Sequence, residues 1–195
     1  MKRISALVFT AALVAAAFAQ PSITVGEYTF VLASSAKNST GSLREYMLKG
    51  ESIDHWTRLT SVRVVPNQEK PREYLERVAA FVMKSHPSAR ARLLKSEKTG
   101  AYILDFLTFS TDSSIAEFNL MRARYEKGNG LIVFQYAVRY STLDRTAGPA
   151  IIAERLKMTD PFAQATFEET KEANQAPQST TPAVTPPAGQ EARQP

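Results

Sequence analysis

The chain has 195 residues, a formal net charge of +5 and no cysteine. The absence of cysteine excludes disulfides, thiolate metal sites and thiol catalysis. A basic excess of this size is far from the dense basic surface of a nucleic-acid-binding protein, so the sequence predicts no nucleic-acid partner.

The N-terminal segment has the order of a secretory signal peptide. A short basic head precedes an apolar run, and Ala17-Phe18-Ala19 is a small-x-small cleavage triplet. An uncleaved membrane anchor is the alternative, but the run is shorter than the about 20 residues that a membrane-spanning helix needs. We therefore predict a signal peptide at 1–19, a periplasmic or secreted mature protein, and no membrane span after cleavage.

Residues 20–167 have the strand and helix periodicities of a single globular domain. Alternating and β-branched patterns predict strands at 28–33, 43–48, 56–65, 92–97, 101–110, 118–125 and 131–141. Serine, asparagine and glycine predict that residues 34–41 form a loop.

Two helices are predicted between and after these strands. The first begins near Pro71 and ends before Pro87, and the second begins near Pro149 and breaks at Pro161. The apolar stripe of the first helix consists of Tyr74, Leu75, Val78, Phe81 and Val82. The order β-β-β-α-β-β-β-β-α predicts an α+β domain with a mainly antiparallel sheet and both helices packed on its apolar face.

The last two strands form the clearest predicted hairpin, because Asn129-Gly130 lies between them and favours a tight turn. A two-residue loop at this place puts Tyr125 opposite Phe134 on the apolar face. A four-residue loop moves the pairs along the strands but keeps the same faces.

The polar face of this hairpin carries the candidate ligand-binding residues. It brings Arg122, Arg124 and Arg139 together, and three guanidinium groups on one face can clamp a phosphate or a carboxylate. A solvated strand face with like charges spread over two strands is the alternative. The single tryptophan, Trp56, is either a core residue or a platform for a ligand.

Sequence motifs for catalysis and for cofactor binding are missing. The chain has no Gly-x-Ser-x-Gly, His-Glu-x-x-His, phosphate-binding glycine loop or dinucleotide fingerprint. Its two histidines, His55 and His86, are far apart, and its acidic residues are scattered. We therefore predict no catalytic residue, no metal site and no cofactor.

The composition changes at residue 168. Residues 168–195 read EETKEANQAPQSTTPAVTPPAGQEARQP, with five prolines and no aromatic residue. Such a segment buries too little apolar surface to offset its ordering entropy, so we predict a disordered tail. The tail is either a spacer or docking peptide, or a segment without a selected role.

Two features resemble known proteins. Residues 45–57, EYMLKGESIDHWT, are similar to a phrase in small exported bacterial proteins of unassigned function. The element order over residues 23–167 resembles the Mog1/PsbP-like α/β/α sandwich. That resemblance implies an accessory or binding role rather than catalysis, and it transfers no site residue.

These observations together predict an exported, non-enzymatic accessory or binding protein of the bacterial envelope. Its expected partner is an envelope protein or a small anionic ligand. The alternative is a cofactor-free hydrolase that cleaves envelope glycans through a pair of carboxylates, which meet only in the folded protein.

Overall fold

The computed structural model describes residues 20–166 of the chain. Its elements in chain order are β1 Ser22–Val25, β2 Tyr28–Asn38, β3 Gly41–Leu48, β4 Arg58–Val65, α1 Pro71–Ser85, β5 Arg90–Lys95, β6 Tyr102–Phe109, β7 Ile115–Glu126, β8 Gly130–Ser141 and α2 Ala147–Gln164. The predicted signal peptide and the predicted tail lie outside the described residues. None of the described helices is long and apolar enough to cross a membrane.

The strands form one eight-stranded sheet in the order β1-β2-β3-β4-β8-β7-β6-β5. Every neighbouring pair is antiparallel. The sheet therefore consists of two consecutive meanders, β1–β4 and β5–β8, which meet where β4 pairs with β8. The predicted class, α+β with a mainly antiparallel sheet and two helices, is confirmed.

The two helices pack on opposite faces of the sheet, and the prediction that both use one apolar face is wrong. On β6, Ile103 belongs to the core under α2, whereas the next residue, Leu104, belongs to the core under α1. Consecutive strand residues point to opposite faces, so each helix covers a different face. The central strand β8 is accordingly buried along most of its length on both sides.

Helix α2 continues through Pro161 to Gln164, although proline predicts a break at this position. Packing against the core, rather than the helix propensity of the residues, stabilises the helix at this place. Met158 and Phe162, on either side of the proline, are fully buried in the core. Tertiary burial of this kind overrides a local helix breaker.

The structure also differs from the prediction in two places at the N-terminal edge of the sheet. Strand β1 was not predicted, although Ile23 and Val25 alternate with exposed residues and are buried. Residues 34–38, predicted as a loop, continue β2 and pair with β3. Their side chains are mostly exposed, so the hydrogen-bonded ladder rather than burial stabilises this part of the strand.

The loop of the β7–β8 hairpin has an odd number of residues. The side chains of β7 therefore lie on the opposite faces from those predicted relative to β8. Glu126 pairs with Gly130, and Arg122 rather than Tyr125 lies opposite Phe134. A register change by an odd number of residues moves every side chain of a strand to the other face. The predicted pairing of Tyr125 with Phe134 is therefore wrong.

Candidate functional site

Arg122 lies on the α2 face of the sheet and binds the end of that helix. Its Nη1 donates a hydrogen bond of 2.8 Å to the carbonyl oxygen of Ala163, and its Nη2 donates to that of Ala165. The guanidinium lies 4.9 Å from the ring centre of Phe134. Burial, together with the charge of Arg124, lowers the pKa of Arg122. The side chain caps carbonyls that a helix end leaves unpaired.

The other two candidate arginines are separated by the sheet. Arg124 is exposed on the α2 face and forms an ion pair of 3.5 Å with Glu126. Arg139 follows Val138 of the α2-face core, so it lies on the opposite face, where it binds Glu117 at 3.1 Å. The predicted clamp of three guanidinium groups on one face is therefore not formed.

Trp56 is half-buried in the loop before β4, and β4 begins two residues later than predicted. The guanidinium of Arg139 lies 3.7 Å from the centre of its ring. This stacking covers one face of the indole and belongs to the cation–π class of contact. Trp56 and Arg139 are thus brought together, but each occupies the surface that the other would offer to a ligand.

The buried carboxylates bind arginines within the domain. Asp105 on β6, only 1% exposed, accepts hydrogen bonds from Arg155 at 2.8 and 3.1 Å and from Arg92 at 2.9 Å. Both of its oxygens are therefore occupied. Among the described residues no group of three His, Asp or Glu side chains could hold a metal ion.

A second buried cluster joins β4, β8 and α2. Arg58 donates a hydrogen bond of 3.1 Å to Glu154, which also accepts one from the hydroxyl of Tyr136. Burial and the bond to Glu154 raise the pKa of Tyr136 above its ordinary value. Burial, followed by Glu154, raises the pKa of the neighbouring Tyr140 to about 12. These contacts connect the two meanders through the core.

An open groove runs beside α1 on the face opposite to α2. Helix α1 covers β5, β6 and β7, and neither described helix packs above the same face of β8, β4 and β3. Two adjoining cavities, of about 250 and about 350 Å³, both reach Arg63 and Tyr74. We call this surface, between α1 and strands β3, β4 and β8, the α1 groove.

The two ends of the α1 groove differ in chemistry. The smaller cavity is mainly apolar, and its lining includes Val78, Phe81, Phe106, Met121 and Val133. The larger cavity is lined about equally by polar and apolar groups, and its polar residues include Asn38, Thr40 and Ser42. Phe81 stands at the rim of the apolar end with 68% of its surface exposed. It belongs to the apolar stripe predicted for α1, but it lines the groove and is not part of the core under the helix.

Arg63 lines both ends of the groove, and Arg77 contacts Tyr74, which also lines both. Arg63 is exposed, and no carboxylate among residues 20–166 pairs with it. Arg77 lies 5.9 Å from the ring centre of Tyr74 and donates a hydrogen bond of 2.7 Å to the neutral side chain of Gln68. Glu45 lies on the same sheet face as Arg63, opposite Ser61, and it forms no ion pair with Arg63.

Sequence reasoning did not single out Arg63, because the residue lies in a strand whose neighbours are scattered along the chain. Its cross-strand partners are Leu43 and Val133, from β3 and β8. One signal was present in the sequence. The stripe predicted for α1 already includes Phe81, the residue that stands at the rim of the apolar end.

No curated protein and no protein of solved structure matches the chain. A protein-family model matches residues 18–174, which is most of the chain and includes every described strand and helix. The chain belongs to the family that this model represents.

Proposed function

We propose that the chain is an exported, non-enzymatic accessory protein of the bacterial envelope that binds its partner in the α1 groove. The observation that carries the proposal is Phe81, a large apolar side chain exposed above a groove that also holds Arg63. Exposed apolar surface costs about 25 cal/mol per Å². An apolar patch rimmed by polar groups is typical of an interaction site.

The chemistry of the groove favours binding over turnover. Its polar side chains include Ser61, Arg63 and Gln135, which can orient a ligand through hydrogen bonds and charge. Gln135 is itself fixed by a hydrogen bond of 2.7 Å to Asn119. The buried carboxylates that a glycan hydrolase would need are bound to arginines, on the other face of the sheet.

The placement of the helices also supports an accessory role. A sheet with one helix on each face is the layer order of the α/β/α sandwich that the element order resembles. The proposal that the protein is exported rests on the sequence of residues 1–19 alone. It predicts that the mature chain, expressed with its own N-terminus in a bacterial host, begins at Gln20 when its mass is measured.

The groove is tested by variants of exposed residues with matched controls elsewhere. Arg63→Glu and Phe81→Ser change the groove, whereas Arg145→Glu and Leu156→Ser make the same changes outside it. The mature chain is screened by thermal unfolding against phosphates, fatty acids, glycan fragments, nucleotides and purified envelope proteins. A partner at a hundredfold excess over its Kd adds about 2.7 kcal/mol of stability.

We expect a shift in unfolding midpoint that both groove variants lose and both controls keep. All four variants should unfold like the unchanged chain without a partner, because their side chains are exposed. A partner that still binds both groove variants would refute the α1 groove as the site. Turnover of a glycan fragment by the unchanged chain would refute the non-enzymatic role.

A further inference from the structure

The apolar end of the α1 groove has the shape and lining of a site for a hydrocarbon chain. Phe81 overhangs a cavity of about 250 Å³, and Val78 and Val82 line the helix side. Met121 and Val133 line the sheet side. Of the described residues, Arg63 is the one charged residue that borders this cavity, and it also borders the larger one. A bound chain would gain about fourfold in affinity for each methylene that it buries here.

The junction of the two cavities is suited to an anionic group. The planar guanidinium of Arg63 can bind a carboxylate or a phosphate through two parallel hydrogen bonds. Arg77 contacts the ring of Tyr74, which lines both cavities, and it donates a hydrogen bond to the neutral side chain of Gln68. Among the described residues, Arg63 is the one charged residue that lines either cavity, so the junction attracts anions.

Neither half of the groove is explained by a ligand of simpler chemistry. A small anion alone would leave Phe81 and the apolar cavity exposed, and a neutral hydrocarbon would leave Arg63 without a counter-charge. The larger cavity beyond Arg63, about 350 Å³, has a mixed lining that includes Thr40 and Ser42, and it offers room and hydrogen-bonding groups for a larger head. The two cavities together lie within the about 300–1,000 Å³ that ligand sites occupy.

We propose that the α1 groove binds an anionic amphiphile, with its acyl chain beneath Phe81 and its carboxylate or phosphate on Arg63. This inference rests on the proposed function, since it names the class of molecule that the same groove takes. The head can come from a free fatty acid or from a phosphate-bearing lipid, and both present the same kind of charge to the arginine.

The test is isothermal titration of the mature chain with laurate, dodecyl phosphate, dodecanol and inorganic phosphate. The two anionic amphiphiles are kept below their critical micelle concentrations, and dodecanol is kept below its solubility limit. We expect the two anionic amphiphiles to bind at least tenfold more tightly than dodecanol or inorganic phosphate. Whichever of laurate and dodecyl phosphate binds more tightly identifies the head group. Octanoate should bind weaker than laurate by about fourfold for each methylene removed from the cavity.

The variants separate the roles of the two ends. Arg63→Gln should weaken the anionic amphiphiles at least tenfold and leave dodecanol unchanged. Phe81→Ser should weaken every ligand with a chain. Arg145→Gln and Leu156→Ser, which change similarly exposed residues outside the groove, should have no effect. Far-ultraviolet circular dichroism and unfolding midpoints confirm that each variant is folded.

Equal affinity for dodecanol and laurate, or unchanged laurate binding by Arg63→Gln, would overturn the inference. If no amphiphile binds while Arg63→Glu and Phe81→Ser abolish binding of another partner, the ligand class is wrong and the proposed function stands. If amphiphiles bind and neither groove variant changes their affinity, both the inference and the groove assignment are wrong.

Discussion

Substitution of Asp105 is the most demanding test of which contacts stabilise the core of this domain. Its side chain is 1% exposed and accepts hydrogen bonds from Arg155 and Arg92. Asp105→Asn preserves the shape of the side chain but removes its charge. Arg155, which also lies 5.2 Å from the ring centre of Phe118, would then be left against the core without a counter-charge.

The expected cost follows from the exposure of the two arginines. Removing one partner of a fully buried ion pair costs about 3–5 kcal/mol. Arg155 is 26% exposed, which reduces that cost, and Arg92 is 55% exposed, so its pair contributes no more than about 1 kcal/mol. We therefore expect Asp105→Asn to lower the free energy of unfolding by about 3 kcal/mol. For a domain of this size the midpoint falls by about 6–12 °C.

The measurement is urea unfolding of the mature chain at pH 7, with Asp54→Asn, in an exposed loop, as the matched control. A double-mutant cycle with Arg155→Gln isolates the pair, and we expect a coupling energy of about 1.5–3 kcal/mol. A loss below about 1 kcal/mol for Asp105→Asn, or two additive substitutions, would refute this account of the core.

Three further predictions concern a turn, a helix end and an exposed loop. Gly130→Ala should cost about 3 kcal/mol, because its Cβ would lie 2.4 Å from the carbonyl oxygen of Val65 and its φ is +85°. Arg122→Met should cost about 1–3 kcal/mol through loss of the α2 cap, and should remove the protection of amides near the end of α2 from hydrogen exchange. Hydrogen bonds from Ser110 and from the backbone and side chain of Ser114 lower the pKa of Asp112 to about 2. Its contribution is therefore complete above pH 4 and is lost as the pH falls towards 2, so the midpoints of Asp112→Asn and the unchanged chain should converge over that range.

The first two of these predictions have a control in the same region. Gly128→Ala has a similar φ of +90° but open space around it, so it should cost only about 1 kcal/mol. Arg124→Met removes an exposed arginine from the same strand and should leave the exchange protection of α2 unchanged. A constant difference between Asp112→Asn and the unchanged chain from pH 5 to pH 2 would contradict the lowered pKa.

The fold class was predictable from the sequence because it depends on local periodicity. The elements with a clear periodicity of their own, such as α1 and β8, were found near their true positions. The strands that depend on a neighbour were not found. The outer part of β2 is mostly exposed and exists because β3 pairs with it.

The candidate site was less predictable, because it depends on register and on what covers each face. The loop of residues 127–129 decides the face of every arginine in the β7–β8 hairpin, and Asn129-Gly130 alone does not fix its length. The α1 groove depends on which strands α1 leaves uncovered, a property of the whole sheet. The stripe residue Phe81 could have indicated the groove, but only after it was known which strands α1 covers.

The strand order also determines how far apart in the chain the contacts are that must form during folding. Within each meander every strand pairs with its neighbour in sequence, and such hairpins close in microseconds. The seam between β4 and β8 instead joins residues such as Thr60 and Gln135, 75 positions apart. Because closing a long loop costs entropy before its contacts are formed, we expect this seam to be made last. The hydrogen bond between Arg58 and Glu154, which are 96 positions apart, then connects β4 to helix α2.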